Sequence, residues 1–188
     1  MFRVLPRAAL IVVVAIGVWM AGCQRAEPPA EPGPASTLLS EDLQNAWNRE
    51  SSKLMEMAED FPEDKYDYRP NPKVRTFGDQ LLHVAGANYF LVHAARGQEG
   101  EPRRLAHEDY RTKAAIVEAL RESFAEVSKA IQEMDDARLQ EQVKHPFGDR
   151  QVTRYGLFSS VVTNAAEHYG QLVVYYRNNG MVPPASRR

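Results

Sequence analysis

The sequence predicts an all-α fold, a bundle of four helices joined by connectors of moderate length. Four stretches repeat apolar residues at helical spacing, and each is bracketed by residues that start or stop helices. Only one short stretch, around Gly148-Asp149, alternates weakly as a strand pair would. A composition of 44% hydrophobic and 26% charged residues is ordinary for a globular domain. The net charge is −2 and no basic block or stripe stands out, so nucleic acid is not an expected partner.

The chain opens outside the bundle. Arg3 and Arg7 precede an apolar run from Ala8 to Trp19, followed by Met20-Ala21-Gly22-Cys23. A spanning helix needs about 20 apolar residues, so this shorter run has the layout of a secretory signal. Small residues before a lone cysteine resemble a bacterial lipoprotein signal over residues 1–23. In that pattern Cys23 is lipidated, becomes the mature N-terminus and holds the protein on a membrane; Met20 stands where leucine is usual. The alternative is an uncleaved N-terminal anchor. Gln24 after the cysteine implies, by the same resemblance, the outer membrane and a periplasmic face. Cys23 is the only cysteine, so its lipidation leaves no thiol for a disulfide or a nucleophile. Residues 24–39 carry Pro28, Pro29, Pro32 and Pro34 among alanines and lack apolar periodicity, which reads as an extended tether. Some 14 such residues reach roughly 40 Å.

The bundle is expected over 40–186. Ser40 is the expected N-cap of a first helix near 40–60, with Leu43, Trp47, Leu54, Ala58 and Phe61 on one stripe and Pro62 ending it. A loop with Pro70 and Pro72 follows. Thr76-Phe77-Gly78-Asp79 resembles a capping box for a second helix near 77–95, which Gly97 stops. Leu81, Val84, Ala85, Asn88 and Val92 share its inner face, and His83 lies at the edge with Ala87, Phe90 and Ala94. Thr112 is placed to cap a third helix near 112–134, whose Ile116, Leu120, Phe124, Val127, Ile131 and Met134 repeat most regularly. A short hairpin around Gly148-Asp149 precedes a fourth helix that begins near Thr153. That helix carries Leu157, Val161, Ala165, Leu172 and Tyr175 inward, with Asn164, His168 and Gln171 on the same face. Gly180 and Pro183-Pro184 end it.

Three runs resemble one family. They are Phe61-Pro62-Glu63-Asp64-Lys65 with Tyr68-Arg69-Pro70, then Phe77 to Ala85, then His168-Tyr169-Gly170-Gln171 continuing through Tyr176 to Pro184. In order and spacing they resemble the DinB-like family of four-helix bundles, over about residues 40–186. The resemblance implies a bundle of unusual connectivity, often a homodimer, with a divalent metal held by three histidines. One comes from the second helix and two from an H-x-x-x-H pair on the fourth. His83 matches the first and His168 the last. Asn164 occupies the middle position, where the family pattern has histidine.

Three imidazoles on facing helices leave open positions for water or substrate, as a catalytic metal requires. An amide keeps an oxygen ligand but a weaker one, since zinc and nickel prefer nitrogen. His93 lies ten residues beyond His83, roughly 15 Å along the helix, and cannot join it. His107 and His145 fall in connectors, and Glu167 points about a quarter-turn from His168. The residues also fit a buried hydrogen-bonded cluster of His83, Asn164, His168 and Gln171 without metal.

Two functions follow. One is a metal-dependent hydrolase using zinc, nickel, manganese or iron(II) on His83, His168 and Asn164. An oxidising envelope argues against the thiol-dependent transfer found among the family's enzymes. The other is a non-catalytic envelope lipoprotein that uses the bundle as an interaction module. Ser159 and Ser160 have no base or acid arrangement, and no phosphate loop or dinucleotide fingerprint is present.

Overall fold

The computed structural model describes residues 36–187. The expected signal segment with Cys23, and most of the expected tether, lie outside the described residues. Four long helices make the bundle: α1 (Leu38–Asp60), α2 (Phe77–Arg96), α3 (Lys113–Gln132) and α5 (Arg154–Asn178). A five-residue helix, α4 (Asp136–Gln140), and a two-stranded hairpin, β1 (Gln142–Lys144) with β2 (Gln151–Thr153), lie between α3 and α5. The strands are antiparallel with Val143 opposite Val152. Gly148 supplies a positive φ of 99° in the turn, where residues with a Cβ are disfavoured.

Around the bundle, α2 packs between α3 and α5, and α1 packs against the same two helices from the other side. The consecutive helices α1 and α2 therefore sit across a diagonal, and the long loop over 61–76 makes that crossing. Each inner stripe is buried as its periodicity requires. Trp47, Leu54, Phe61, Phe77, Leu81, Leu120, Ile131, Leu157 and Tyr176 are sealed from solvent. Burying a side chain of this size contributes roughly 1.5–3 kcal/mol. Phe61 and Phe77 stack at 3.9 Å between ring centres and Tyr176 leans on Phe61 at 4.9 Å, so the start of α2 is tied to the ends of α1 and α5. The Tyr176 hydroxyl donates to the Met57 carbonyl oxygen at 2.8 Å, and Tyr66 donates to the Ala58 carbonyl oxygen.

The helix starts show one correction. Thr76, Thr112 and Thr153 each accept a hydrogen bond from the backbone N–H three residues on, as expected of caps. Ser40 does not cap α1. That helix starts two residues earlier, with Thr37 at the cap position, and Ser40 is buried with its hydroxyl donating to the Thr37 carbonyl oxygen. The capping acceptor comes instead from α4: Asp136 accepts from the Leu39 N–H at 2.8 Å and from the Ser36 hydroxyl at 2.5 Å. A cap supplied from 97 residues away leaves no local signature. The short α4 was not expected either. Its Asp135 cap and one buried side chain, Leu139, fall below any periodic signal.

At the other ends, Gly97 takes φ +67° after α2, and Gly180 takes φ +71° after α5. Both meet the left-handed requirement of a helix stop. Among the described residues no helix is long and apolar enough to cross a membrane.

Candidate functional site

The site lies on the seam between α2 and α5. These helices run antiparallel, with Gln80 opposite Gln171, His83 opposite His168, and Arg154 Nη1 donating to the Ala95 carbonyl oxygen at 2.5 Å. The helical repeat puts Gln80 and His83 on one side of the seam, one turn apart. On the other side it puts Asn164, His168 and Gln171 in one row. The imidazoles of His83 and His168 meet edge to face, 5.0 Å between ring centres. His168 is buried at 6% exposure, and His83 is half-buried at the rim.

Burial pushes the His83 imidazole down to about 4, and positive charge on Arg75, His168 and His107 pushes the same way. Burial, then Arg75, also lowers His168, while Gln171 works in the opposite sense. Both rings are thus held neutral near pH 7, the state in which an imidazole nitrogen can bind a metal. Two buried atoms lack any hydrogen-bond partner among the described residues at this site: Nδ1 of His168 and Oδ1 of Asn164. Such orphans cost roughly 1–3 kcal/mol each unless something else satisfies them. By donor type, an imidazole nitrogen and an amide oxygen, these two atoms suit a divalent metal. The donor set is two imidazoles and one amide oxygen. Among the described residues, no three His, Cys, Asp or Glu side chains are grouped to hold a metal ion.

The other histidines are placed elsewhere. His93 Nε2 donates to the Gly100 carbonyl oxygen at 3.1 Å. His145 is engaged with the backbone of Phe147 and the guanidinium of Arg150. His107 donates from Nδ1 to Asp79 Oδ1 at 2.9 Å, one turn of α2 before His83. Burial alone would raise the Asp79 carboxyl, but hydrogen bonds from His107 and Thr76 outweigh it and hold the group low. Glu167 is exposed.

Two residues escape a reading of the sequence. Gln80 is buried at 4% exposure and donates from Nε2 to Gln171 Oε1, so the amide that closes the row on α5 is met by one from α2. Its signal was a glutamine three residues before His83 on the same helix. Arg75 stands just before α2, close enough to depress both imidazoles. A cleft of about 700 Å³ opens beside the Gln80–Gln171 pair. Asn164 lines a second cleft of about 470 Å³ with Leu91, His145 and Glu167. The paired rings lie between the two.

Fold and site together define a helical bundle with a polar, imidazole-bearing seam between two long antiparallel helices. The sequence profile of the DinB superfamily matches residues 46–172, and the chain belongs to that superfamily. Solved structures share the fold. A DinB-like protein from Bacillus cereus ATCC 10987 has a TM-score of 0.64 at 20% identity, covering 77% of this chain and 95% of its own. A conserved protein from Enterococcus faecalis has a TM-score of 0.59 at 15% identity, covering 74% and 95%. An uncharacterised protein from Escherichia coli UTI89 has a TM-score of 0.58 at 18% identity, covering 79% and 97%. A comparison with curated proteins found no match to this chain.

Proposed function

We propose that this chain is an envelope-anchored DinB-like hydrolase whose divalent metal is held by His83, His168 and Asn164. The observation that carries the reading is the seam itself. Two neutral imidazoles lie 5.0 Å apart, and the orphaned Nδ1 of His168 and Oδ1 of Asn164 await a partner. A bound divalent ion in such a site supplies a water of lowered pKa for attack on an ester or amide. His83 and His168 would ligate through nitrogen and stay neutral because they are buried. Asn164 would offer its amide oxygen, a weaker ligand than imidazole for zinc or nickel. The clefts on either side of the rings would admit water and substrate.

Anchoring belongs to the same proposal, on the strength of Arg3, Arg7, the apolar run and Cys23. The lipid on Cys23 would hold the domain at the outer membrane. Cys23→Ser should abolish incorporation of labelled fatty acid. Pairing with a second copy is proposed as well, since Phe147 on the hairpin and Tyr155 at the start of α5 stand exposed. Sedimentation of the purified protein reads that mass directly.

The deciding experiment is metal content after exposure to manganese, iron(II), zinc and nickel. Near one equivalent, lost in His83→Ala and in His168→Ala, is the expected result. No metal under any of these conditions would retire the hydrolase reading. A second reading, a non-catalytic interaction lipoprotein, is favoured by one observation: Gln80 and Gln171 bond to each other across the seam, as a packed polar cluster would.

A further inference from the structure

The 700 Å³ cleft beside the paired rings has an unusual balance of charge. Its lining includes Lys73, Arg75, Gln80, Gln171, Val174 and Tyr175, and contains no acidic side chain. Neither the Lys73 ammonium nor the Arg75 guanidinium makes a hydrogen bond or an ion pair among the described residues, in a chain whose net charge is −2. Six other arginines, Arg96, Arg103, Arg104, Arg121, Arg154 and Arg187, are by contrast paired with carboxylates. The acid that begins the seam, Asp79, is already committed to His107 and to Thr76.

The backbone at Arg75 is anchored. Tyr175 donates its hydroxyl to the Arg75 carbonyl oxygen at 2.7 Å, tying the strand before α2 to α5. The guanidinium then sits near enough to be felt at His83, His168 and Tyr175 together. An unpaired guanidinium beside a wall of Val174 and Tyr175 matches an anion with an apolar body.

We propose that this cleft binds a small organic carboxylate, with Arg75 and Lys73 holding the anion and Gln171 and Gln80 facing its polar flank. Phosphate is disfavoured because the first-turn amides of α2 are taken. Phe77 N–H donates to the Tyr68 carbonyl oxygen at 3.0 Å, Gly78 N–H to that of Tyr66 at 2.9 Å, and Asp79 N–H to Thr76 Oγ1 at 3.0 Å. Phosphate sites at helix starts use just such amides. The proposal names the substrate class of the hydrolase reading and rests on it for the reaction: the substrate is a carboxylate whose scissile bond lies toward His83 and His168. Binding itself needs no metal.

The test uses ¹⁵N-labelled full-length protein in mild detergent, freed of metal, with the Gln80 and Gln171 side-chain amides as reporters. Benzoate and its neutral isostere benzamide are titrated in parallel. Benzoate should shift both amides and bind about ten-fold more tightly than benzamide, the order expected of a charged hydrogen bond. Arg75→Gln should remove most of that preference and leave benzamide unchanged, and Arg75→Lys should restore part of it. Equal binding of the two probes, or an unchanged preference in Arg75→Gln, overturns the proposal. Phenyl phosphate binding more than about ten-fold tighter than benzoate would overturn the carboxylate assignment. Arg75 is exposed, and the same spectra report whether the variant is folded. Metal content is measured separately, so a missing metal and a missing anion site are distinguishable failures.

Discussion

His83→Gln should flatten the acid side of the stability profile. In the unfolded chain this imidazole takes up its proton near pH 6.5; in the folded chain burial, aided by Arg75, His168 and His107, delays uptake to about pH 4. Between those values the unfolded chain binds more protons than the folded one. Stability from this group is therefore full above pH 6.5 and is lost progressively as pH falls toward 4. At pH 5 the full difference would amount to about 2 kcal/mol. The ring is only half-buried, and solvent screening reduces this to about 1 kcal/mol. The assay is urea unfolding of metal-free, full-length protein at pH 7.5 and pH 5, wild type beside His83→Gln. The wild type should lose about 1 kcal/mol more than the variant over that interval. Identical pH dependence in the two proteins would refute the argument that His83 is held neutral by its surroundings.

Asn164→His restores the third imidazole to the seam and should raise zinc affinity at least ten-fold by competition with a chelating dye; unchanged affinity would mean that Asn164 does not face the ion. Tyr176→Phe removes a buried donor to the Met57 carbonyl oxygen and to Asp60, and should cost about 1–2 kcal/mol by urea denaturation. Gly97→Ala meets no close contact, since its Cβ would stand 3.6 Å from Val143 Cγ1. The positive φ alone should nevertheless cost about 1 kcal/mol, read as a lower thermal midpoint.

Why these particulars were readable from residues or not comes down to distance along the chain. The four long helices, their threonine caps and their glycine stops depend on neighbours within one or two turns, and the periodicity of Leu, Val and Phe displays them directly. His83 and His168 were visible for the same reason, each lying at a defined place on its own helical face. That the two histidines share one site was implied only by the family resemblance, because nothing within either helix states which helix faces it.

The remaining features depend on contacts between segments far apart in sequence. Asp136 caps α1 across 97 residues, so local chemistry pointed to Ser40 instead. Gln80 and Gln171 are 91 residues apart, and each alone is an unremarkable glutamine. Arg75 acquires its meaning only when Tyr175 draws the approach to α2 against α5. Helical periodicity is a short-range property, set by backbone geometry and side-chain burial. The company a polar group keeps in a bundle is set by which helices pack together, and here that became visible only once α2 was seen to lie between α3 and α5.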